Sequence, residues 1–253
     1  MGGDGTLLHA CSLFQDRHTP PILAINLGYK GALVPFNGKN ITETVQLIAS
    51  RPEKFAIIEK NRLEVLYRCK SDHSLQSAVA TNEISLISSE PCKTVLLQVH
   101  VDNNIINDNL MADGILIASC FGSTGYNLSI GGPIMDAHLE SEAMVMSPIS
   151  PIFIANCPVV LSSHRQVKIG LKKDSHSNAA LCIDGVTIAM LESPLLQDIP
   201  TKQKKDPDDQ CLEEINTIEI KKSSFFVRLI VPSSAIDQLK TQINSCISKN
   251  CLQ

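Results

Sequence analysis

Apolar residues recur at every second position in well-separated stretches of this chain. Leu63, Val65, Tyr67 and Cys69 alternate with polar residues; so do Val95, Leu97, Val99 and Val101, and later Val167, Ile169 and Leu171. A period of two puts one side chain in a core and the next in water, the pattern of a half-buried strand. Here such strands follow one another, so residues 53–231 are expected to form one β-rich domain. Thr124 to Ile130 interrupts them and reads as a short helix stopped by Gly131 and Gly132. Thr201 to Asp209 is charged, has no apolar period and reads as a solvated loop between strands. Phe225 to Val231 returns to strand, and Pro232 ends it.

The rhythm before residue 50 is different. Leu7, Cys11 and Phe14 lie at helical spacing, and Ile22 to Leu27 is a short apolar run of the buried-strand kind, closed by Gly28. Ile41, Val45 and Ile48 make a helix face behind a capping-box-like pair, Asn40 and Glu43. Helix and strand alternate, which predicts α/β layering. At the other end, Ser234 with Asp237 resembles a helix start. Ile236, Leu239, Ile243 and Ile247 then form one apolar face, with the N-terminal part as its natural partner. The expected division is an α/β part of residues 1–52 plus 232–253 and a β-rich domain of 53–231.

Composition removes several function classes. With 43% hydrophobic residues the chain is not globally disordered, and a net charge of −4 gives no electrostatic footprint for nucleic acid or an anionic membrane. The longest apolar stretch, Ala143 to Leu161, is broken by Pro148, Pro151 and Pro158, so it predicts strands and turns rather than a membrane helix. No export signal follows Met1. The nine cysteines are scattered and odd in number, with no C-x-x-C and no zinc-like spacing. They read as free thiols in a reducing, cytoplasmic compartment.

Four short segments hold the residue types that chemistry needs. Gly2-Gly3-Asp4-Gly5-Thr6 stands directly before a helix. Glycines let backbone N–H groups approach phosphate oxygens with no Cβ in the way, and a helix N-terminus favours anions. A carboxylate there can take a proton from an attacking hydroxyl or help to place Mg2+; the plainer reading is a tight turn with an Asp cap. The segment is neither a Walker A loop nor a G-x-G-x-x-G fingerprint. Asn82-Glu83 is a polar pair inside a strand-like stretch, which is costly unless satisfied or used. By itself it reads best as a strand end facing water. Asp113-Gly114 leads into the apolar run Ile115 to Ala118 and then Gly122-Ser123-Thr124-Gly125-Tyr126-Asn127-Leu128-Ser129. A nucleoside would suit that turn, stacked on Tyr126 with hydrogen bonds from Thr124 and Ser129. Asp184-Gly185, after the strand Ala180 to Ile183, is by itself a turn signal.

In this order and spacing the segments resemble the NAD kinase family: GGDGT, an N-[DE] pair, D-G followed eight residues after the glycine by G-S-T-x-Y-x-x-S-x-G-G, and a late D-G. Pro21 to Phe36 is similar to the family's segment ending in L-G-F-L, and Ser147 to Leu161 to a degenerate copy of its T-P-I-C-P segment. The resemblance implies transfer of the ATP γ-phosphoryl group to the 2′-hydroxyl of the adenosine ribose of NAD, giving NADP. It further implies a Rossmann-like, three-layer α/β N-terminal part, a β-rich second domain, and a C-terminal helix packing back on the first part. A divalent metal, Mg2+, and a homo-oligomer (dimer or tetramer) belong to the same expectation. By motif matching, Asp4 is expected to be the base for the 2′-hydroxyl, and Gly2, Gly3, Gly5 and Thr6 to line the phosphate loop. Asn82, Glu83, Asp113, Thr124, Gly125, Tyr126 and Ser129 are expected to bind NAD, with Asp184 near the reacting ribose.

The chain departs from the family pattern at several places. Cys120-Phe121 replaces Pro-Thr before G-S-T, and Gly125 replaces Ala, which should loosen that turn. Lys30 and Ala32 alter L-G-F-L, and Ile152 and Cys157 stand where His and Arg are common. These changes bear on affinity and donor preference more than on reaction type. Family members carry a βα stretch before GGDGT; here the loop starts at residue 2, so the α/β part is expected to be N-terminally incomplete. Two other readings share part of the pattern. Lipid kinases of the diacylglycerol or sphingosine type also carry GGDGT, but their G-T-G-N-D-like segment is not found here. A non-catalytic or defective NAD-binding homologue would keep the nucleotide residues without turnover; the intact Asp4 argues against it.

Overall fold

The computed structural model describes residues 1–27, 34–68, 74–135, 143–153, 156–193, 195 and 217–233. The expected C-terminal helix, the 201–209 loop, and Gly28, Lys30, Ala32 and Cys69 lie outside the described residues. Helix α1 (Asp4–Ser12) buries Leu7 and Cys11, as their spacing predicts. Gly2 ties its start to β1 (Ile25–Asn26) by donating its N–H to the Ile25 carbonyl at 3.0 Å. Strand β1 pairs in parallel with β2 (Phe36–Asn37). The apolar run from Ile22 thus forms a two-residue strand, with Ile22 making a separate parallel bridge to Leu229. Helix α2 (Ile41–Ser50) exists as expected, but none of its residues is buried and Asn40 makes no capping bond. The capping is done one turn earlier, where the Asn37 side chain accepts from the Lys39 N–H at 2.9 Å and opens a 3-10 turn.

The rest is a β-sandwich with one short helix. Its strands are β3 (Phe55–Arg68), β4 (Leu75–Ala80), β5 (Glu83–Ser88), β6 (Val95–Val101), β7 (Asn104–Ala112), β8 (Gly114–Ser119) and β9 (Ala143–Ile149). After them come β10 (Val159–Ser162), β11 (Val167–Leu171), β12 (Ala179–Ile183), β13 (Val186–Leu191) and β14 (Thr217–Pro232). Helix α3 (Tyr126–Ser129) lies between β8 and β9. One six-stranded sheet has the order β4-β3-β14-β11-β6-β7 and the other β10-β9-β8-β5-β12-β13. Every pairing in both sheets is antiparallel.

Alternate residues of the two sheets meet in one core. Val95, Leu97, Val99 and Val101 of β6 and Val167, Ile169 and Leu171 of β11 face Ile84, Leu86, Ile115, Ile117 and Leu181. Fully burying each such side chain contributes about 1.5–3 kcal/mol. The central strands of the second sheet are buried on both faces, since Leu116, Ala118 and Val145 pack with Cys120, Met135 and Ile149 on the side away from the sandwich. The N-terminal part docks on the far end of β3 and β14. Ile22 exchanges backbone hydrogen bonds of 2.9 Å with Arg228 and Ile230, and Leu7, Cys11, Ala24 and Val34 pack against Val227, Leu229 and Val231. This docking brings Cys11, near the end of α1, beside Thr81, just ahead of β5.

Candidate functional site

The glycine loop leads directly into α1, where the Gly3 carbonyl accepts from the N–H groups of Thr6 and Leu7 at 3.1 and 3.3 Å. Gly2 has φ +155, and a Cβ on it would overlap the Thr6 side chain, so only glycine fits there. Gly3 and Gly5 face open space, with nothing within 4 Å of where a Cβ would stand. The first amides of a helix have no acceptor four residues back, and the open space beside Gly3 and Gly5 lets backbone or ligand approach closely. Asp4 opens the helix, half-buried.

Thr81-Asn82-Glu83 enters β5 as a buried turn; Asn82 is 8% exposed and Glu83 7%. The pair is therefore not a strand end facing water, because the loop after β8 closes over it. Ser119 donates its N–H to the Asn82 carbonyl at 2.8 Å and its hydroxyl to the Thr81 carbonyl at 2.7 Å. Gly122 then lies so close that a Cβ would overlap the Asn82 carbonyl group. Asn82 Oδ1 and Glu83 Oε2 are buried with no hydrogen-bond partner among the described residues. Leaving such atoms unmet costs about 1–3 kcal/mol each, which is expected of a site awaiting a ligand. Burial, with a smaller push from the charge of Asp184, raises the Glu83 carboxyl to about 7.

Gly125 borders the same two side chains. A Cβ there would stand 3.3 Å from the Gly122 carbonyl oxygen, 3.5 Å from Asn82 Nδ2 and 3.8 Å from Glu83 Oε2. The glycine thus adds room beside the pair. Tyr126 is 41% exposed, so its ring is a free face rather than a core group. Thr124 is half-buried and Ser129 exposed on the same turn. Asn127, by contrast, is fully buried: it donates to the carbonyls of Ser123 and Pro133 at 3.0 and 2.9 Å and accepts from the Ser147 hydroxyl at 2.7 Å. It braces the turn.

Asp184 sits in the turn between β12 and β13 with φ 47. Its carboxylate accepts from the backbone N–H groups of Thr81, Asn82 and Glu83 at 2.8, 2.7 and 3.2 Å. The turn reading of Asp184-Gly185 is correct, and the turn also reaches the site. Asp113 is not brought to this place. It is exposed at the opposite end of β8, and the six residues of that strand span roughly 20 Å. Ile152 and Cys157 are exposed on other loops.

Sequence reasoning missed Arg62 and Lys60. Both lie on β3, in a stretch whose polar residues alternate with a core row and so read as solvent-facing. Yet Arg62 is 0% exposed and Lys60 4%, because the N-terminal part covers that face. Lys60 Nζ lies 5.8 Å from the Phe121 ring centre, and burial lowers its ammonium to about 8. Phe121, one of the departures from the family pattern, therefore has a local partner.

Comparison with known proteins places this geometry among nucleotide kinases. Residues 1–53 match the family model of the ATP-NAD kinase N-terminal domain, and residues 81–194 that of the ATP-NAD kinase C-terminal domain. The NAD kinase of Methanothermobacter thermautotrophicus is 34% identical over 185 residues, covering 73% of this chain and 61% of the relative. The crystal structure of yeast NADH kinase complexed with NADH superposes with a TM-score of 0.71 at 25% identity, covering 93% of this chain and 62% of that one. An NAD kinase from Archaeoglobus fulgidus in complex with ATP gives a TM-score of 0.69 at 24% identity, over 96% of this chain and 81% of that one, a likeness of fold. The chain spans from about a third to three fifths of the length of the first curated relatives it matches.

Proposed function

The chain belongs to the NAD kinase family, and from this we propose that it transfers the γ-phosphoryl group of ATP to the 2′-hydroxyl of the adenosine ribose of NAD, making NADP. The observation that carries the reading is the convergence of the unmet Asn82 Oδ1 and Glu83 Oε2 with Gly125 and the loop that covers them. Phosphoryl transfer needs mainly positioning and charge neutralisation. Asn82 and Glu83 take the hydroxyl and amino groups of NAD, with Thr124 and Ser129 as further hydrogen-bonding groups and Tyr126 as the stacking face. Gly2, Gly3, Gly5 and Thr6 form the phosphate loop. Asp4 accepts the proton of the attacking 2′-hydroxyl.

Among the described residues no three His, Cys, Asp or Glu side chains cluster for a metal. Mg2+ commonly takes one or two carboxylates and draws other ligands from substrate phosphates. Asp4 is the side chain placed to share it, and the ion would supply charge neutralisation at the phosphates. Asp113 lies a strand's length from the site, so its contribution would have to come from another copy of the chain. That supports a homo-oligomer, a dimer or tetramer, as do the exposed Val186, Ile188 and Met190 on the edge strand β13. No described helix is long and apolar enough to cross a membrane. Among the described residues Cys11, Cys92, Cys157 and Cys182 are in no disulfide, which supports a reducing compartment, with the cytoplasm as our reading.

Calorimetric titration with NAD tests the binding half of this reading. Asn82→Ala should weaken NAD binding about tenfold or more, the loss expected when a buried hydrogen-bonding group is removed, while ATP binding stays the same. NAD affinity unchanged in that variant would contradict the assignment.

A further inference from the structure

Two charges of opposite sign, Arg62 buried on β3 and Asp184 half-buried in the β12–β13 turn, hold backbone near α1 and β5, and the phosphoryl-transfer reading leaves the work of both open. Among the described residues Arg62 on β3 donates to backbone carbonyls alone. Its Nη1 reaches Phe14 O at 2.7 Å and Cys11 O at 3.5 Å, Nη2 reaches Arg17 O at 2.7 Å, and Nε reaches Phe225 O at 3.3 Å. Cys11 is in the last turn of α1, and Phe14 and Arg17 follow it, so one guanidinium gathers the carbonyls at the helix exit. A cation there is also favoured by the helix dipole.

Asp184 does the converse across the interface. Its two oxygens gather the three consecutive N–H groups of Thr81, Asn82 and Glu83. Ionised, a carboxylate offers about four acceptor sites, so most of its capacity is spent on this backbone. The residue holds a left-handed φ of 47 to do so, a conformation that L side chains adopt at a cost. Burial works against both charges, raising the Asp184 carboxyl and lowering the Arg62 guanidinium, while each charge favours the ionised form of the other. The other titratable groups that feel Asp184 are Glu83 on β5 and Cys11 on α1, whose thiol burial pushes up to about 11 and so keeps neutral.

We propose that Asp184 and Arg62 are positioning residues: Asp184 fixes the backbone that presents Asn82 and Glu83, and Arg62 fixes the exit of the helix that presents Asp4. On this account Asp184 acts through Asn82 and Glu83 and does not touch the ribose. The kinetic consequence rests on the NAD kinase reading; the structural one does not.

The test uses Asp184→Asn and Arg62→Lys in the full chain, with amide hydrogen exchange and steady-state kinetics read on the same samples. Asn removes the charge and turns an N–H group toward one of the three backbone donors. Exchange at Thr81, Asn82 and Glu83 should then speed up about tenfold or more while the interior amides of β8 and β12 keep their protection. The KM for NAD should rise about tenfold with kcat within about threefold of the parent. Lysine keeps the charge of Arg62 but loses the fork that gathers the carbonyls, so Arg62→Lys should lower kcat more than it raises the KM for NAD. Exchange at the three amides unchanged in Asp184→Asn would overturn the proposal. So would a collapse of kcat with KM unchanged, which would put Asp184 in contact with the reacting atoms. If the parent chain makes no NADP, the kinase reading fails, and the exchange measurement still decides the positioning role. Should Arg62→Lys fail to fold, Asp184→Asn decides alone.

Discussion

Glu83 begins β5 with its carboxyl buried beside Gly125, and this burial has a pH signature. The fold raises the group from its ordinary 4.5 to about 7, chiefly by desolvation. Between those values the folded chain holds a proton that the unfolded chain has released, so stability falls as pH rises from 4.5 to about 7 and is level above. Glu83→Gln should therefore melt higher than the parent at pH 8, with the gap closing toward pH 4.5 in a calorimetric series. NAD affinity should move the other way. An ionised carboxylate accepts ribose hydroxyls better, so binding should tighten through about pH 7 in the parent and stay flat in the glutamine variant. Asp4 has a separate role on this account. Asp4→Asn should lose roughly 100-fold or more in kcat, with the NAD dissociation constant within about twofold of the parent, read by rapid-mix kinetics and titration. Both residues were legible because short motifs carry them. Arg62 was not, because alternation along a strand assigns faces without saying what covers the outer one.

At the scale of elements, glycine placement separates contacts that hold the fold from openings that admit a ligand. A Cβ on Gly122 would overlap the Asn82 carbonyl group, whereas one on Gly3 would meet nothing within 4 Å. Gly122→Ala should therefore cost about 1–3 kcal/mol in denaturant unfolding and weaken NAD binding as well. Gly3→Ala should unfold like the parent and raise the KM for ATP, because only the approach of phosphate is narrowed. The strands of period two were readable from sequence, and β6 and β11 bury the residues so identified. The run Ile115 to Ala118 does not alternate because β8 is covered on both faces. The capping box at Asn40 failed for a local reason: Asn37 had already capped the preceding 3-10 turn.

The whole molecule joins parts that are distant in sequence. Strand β14 pairs with β3 across more than 150 residues, and its far end anchors Thr19 and Ile22 of the N-terminal part. Periodicity predicts that strands exist, but it holds no record of which strand lies beside which, so the two sheet orders could not be read in advance. The site inherits this: α1, the start of β5, the β12–β13 turn and the loop after β8 meet only because the sandwich and the N-terminal part are docked. The order of the four motifs along the chain was legible; the exclusion of Asp113 from their meeting point was not, since it depends on which end of β8 faces α1. The central claim is that this meeting point phosphorylates NAD. The purified chain, given ATP, Mg2+ and NAD and followed with an NADP-specific dehydrogenase, should accumulate NADP, and Asp4→Asn should abolish most of it. A chain that binds both nucleotides under these conditions yet forms no NADP would contradict the account.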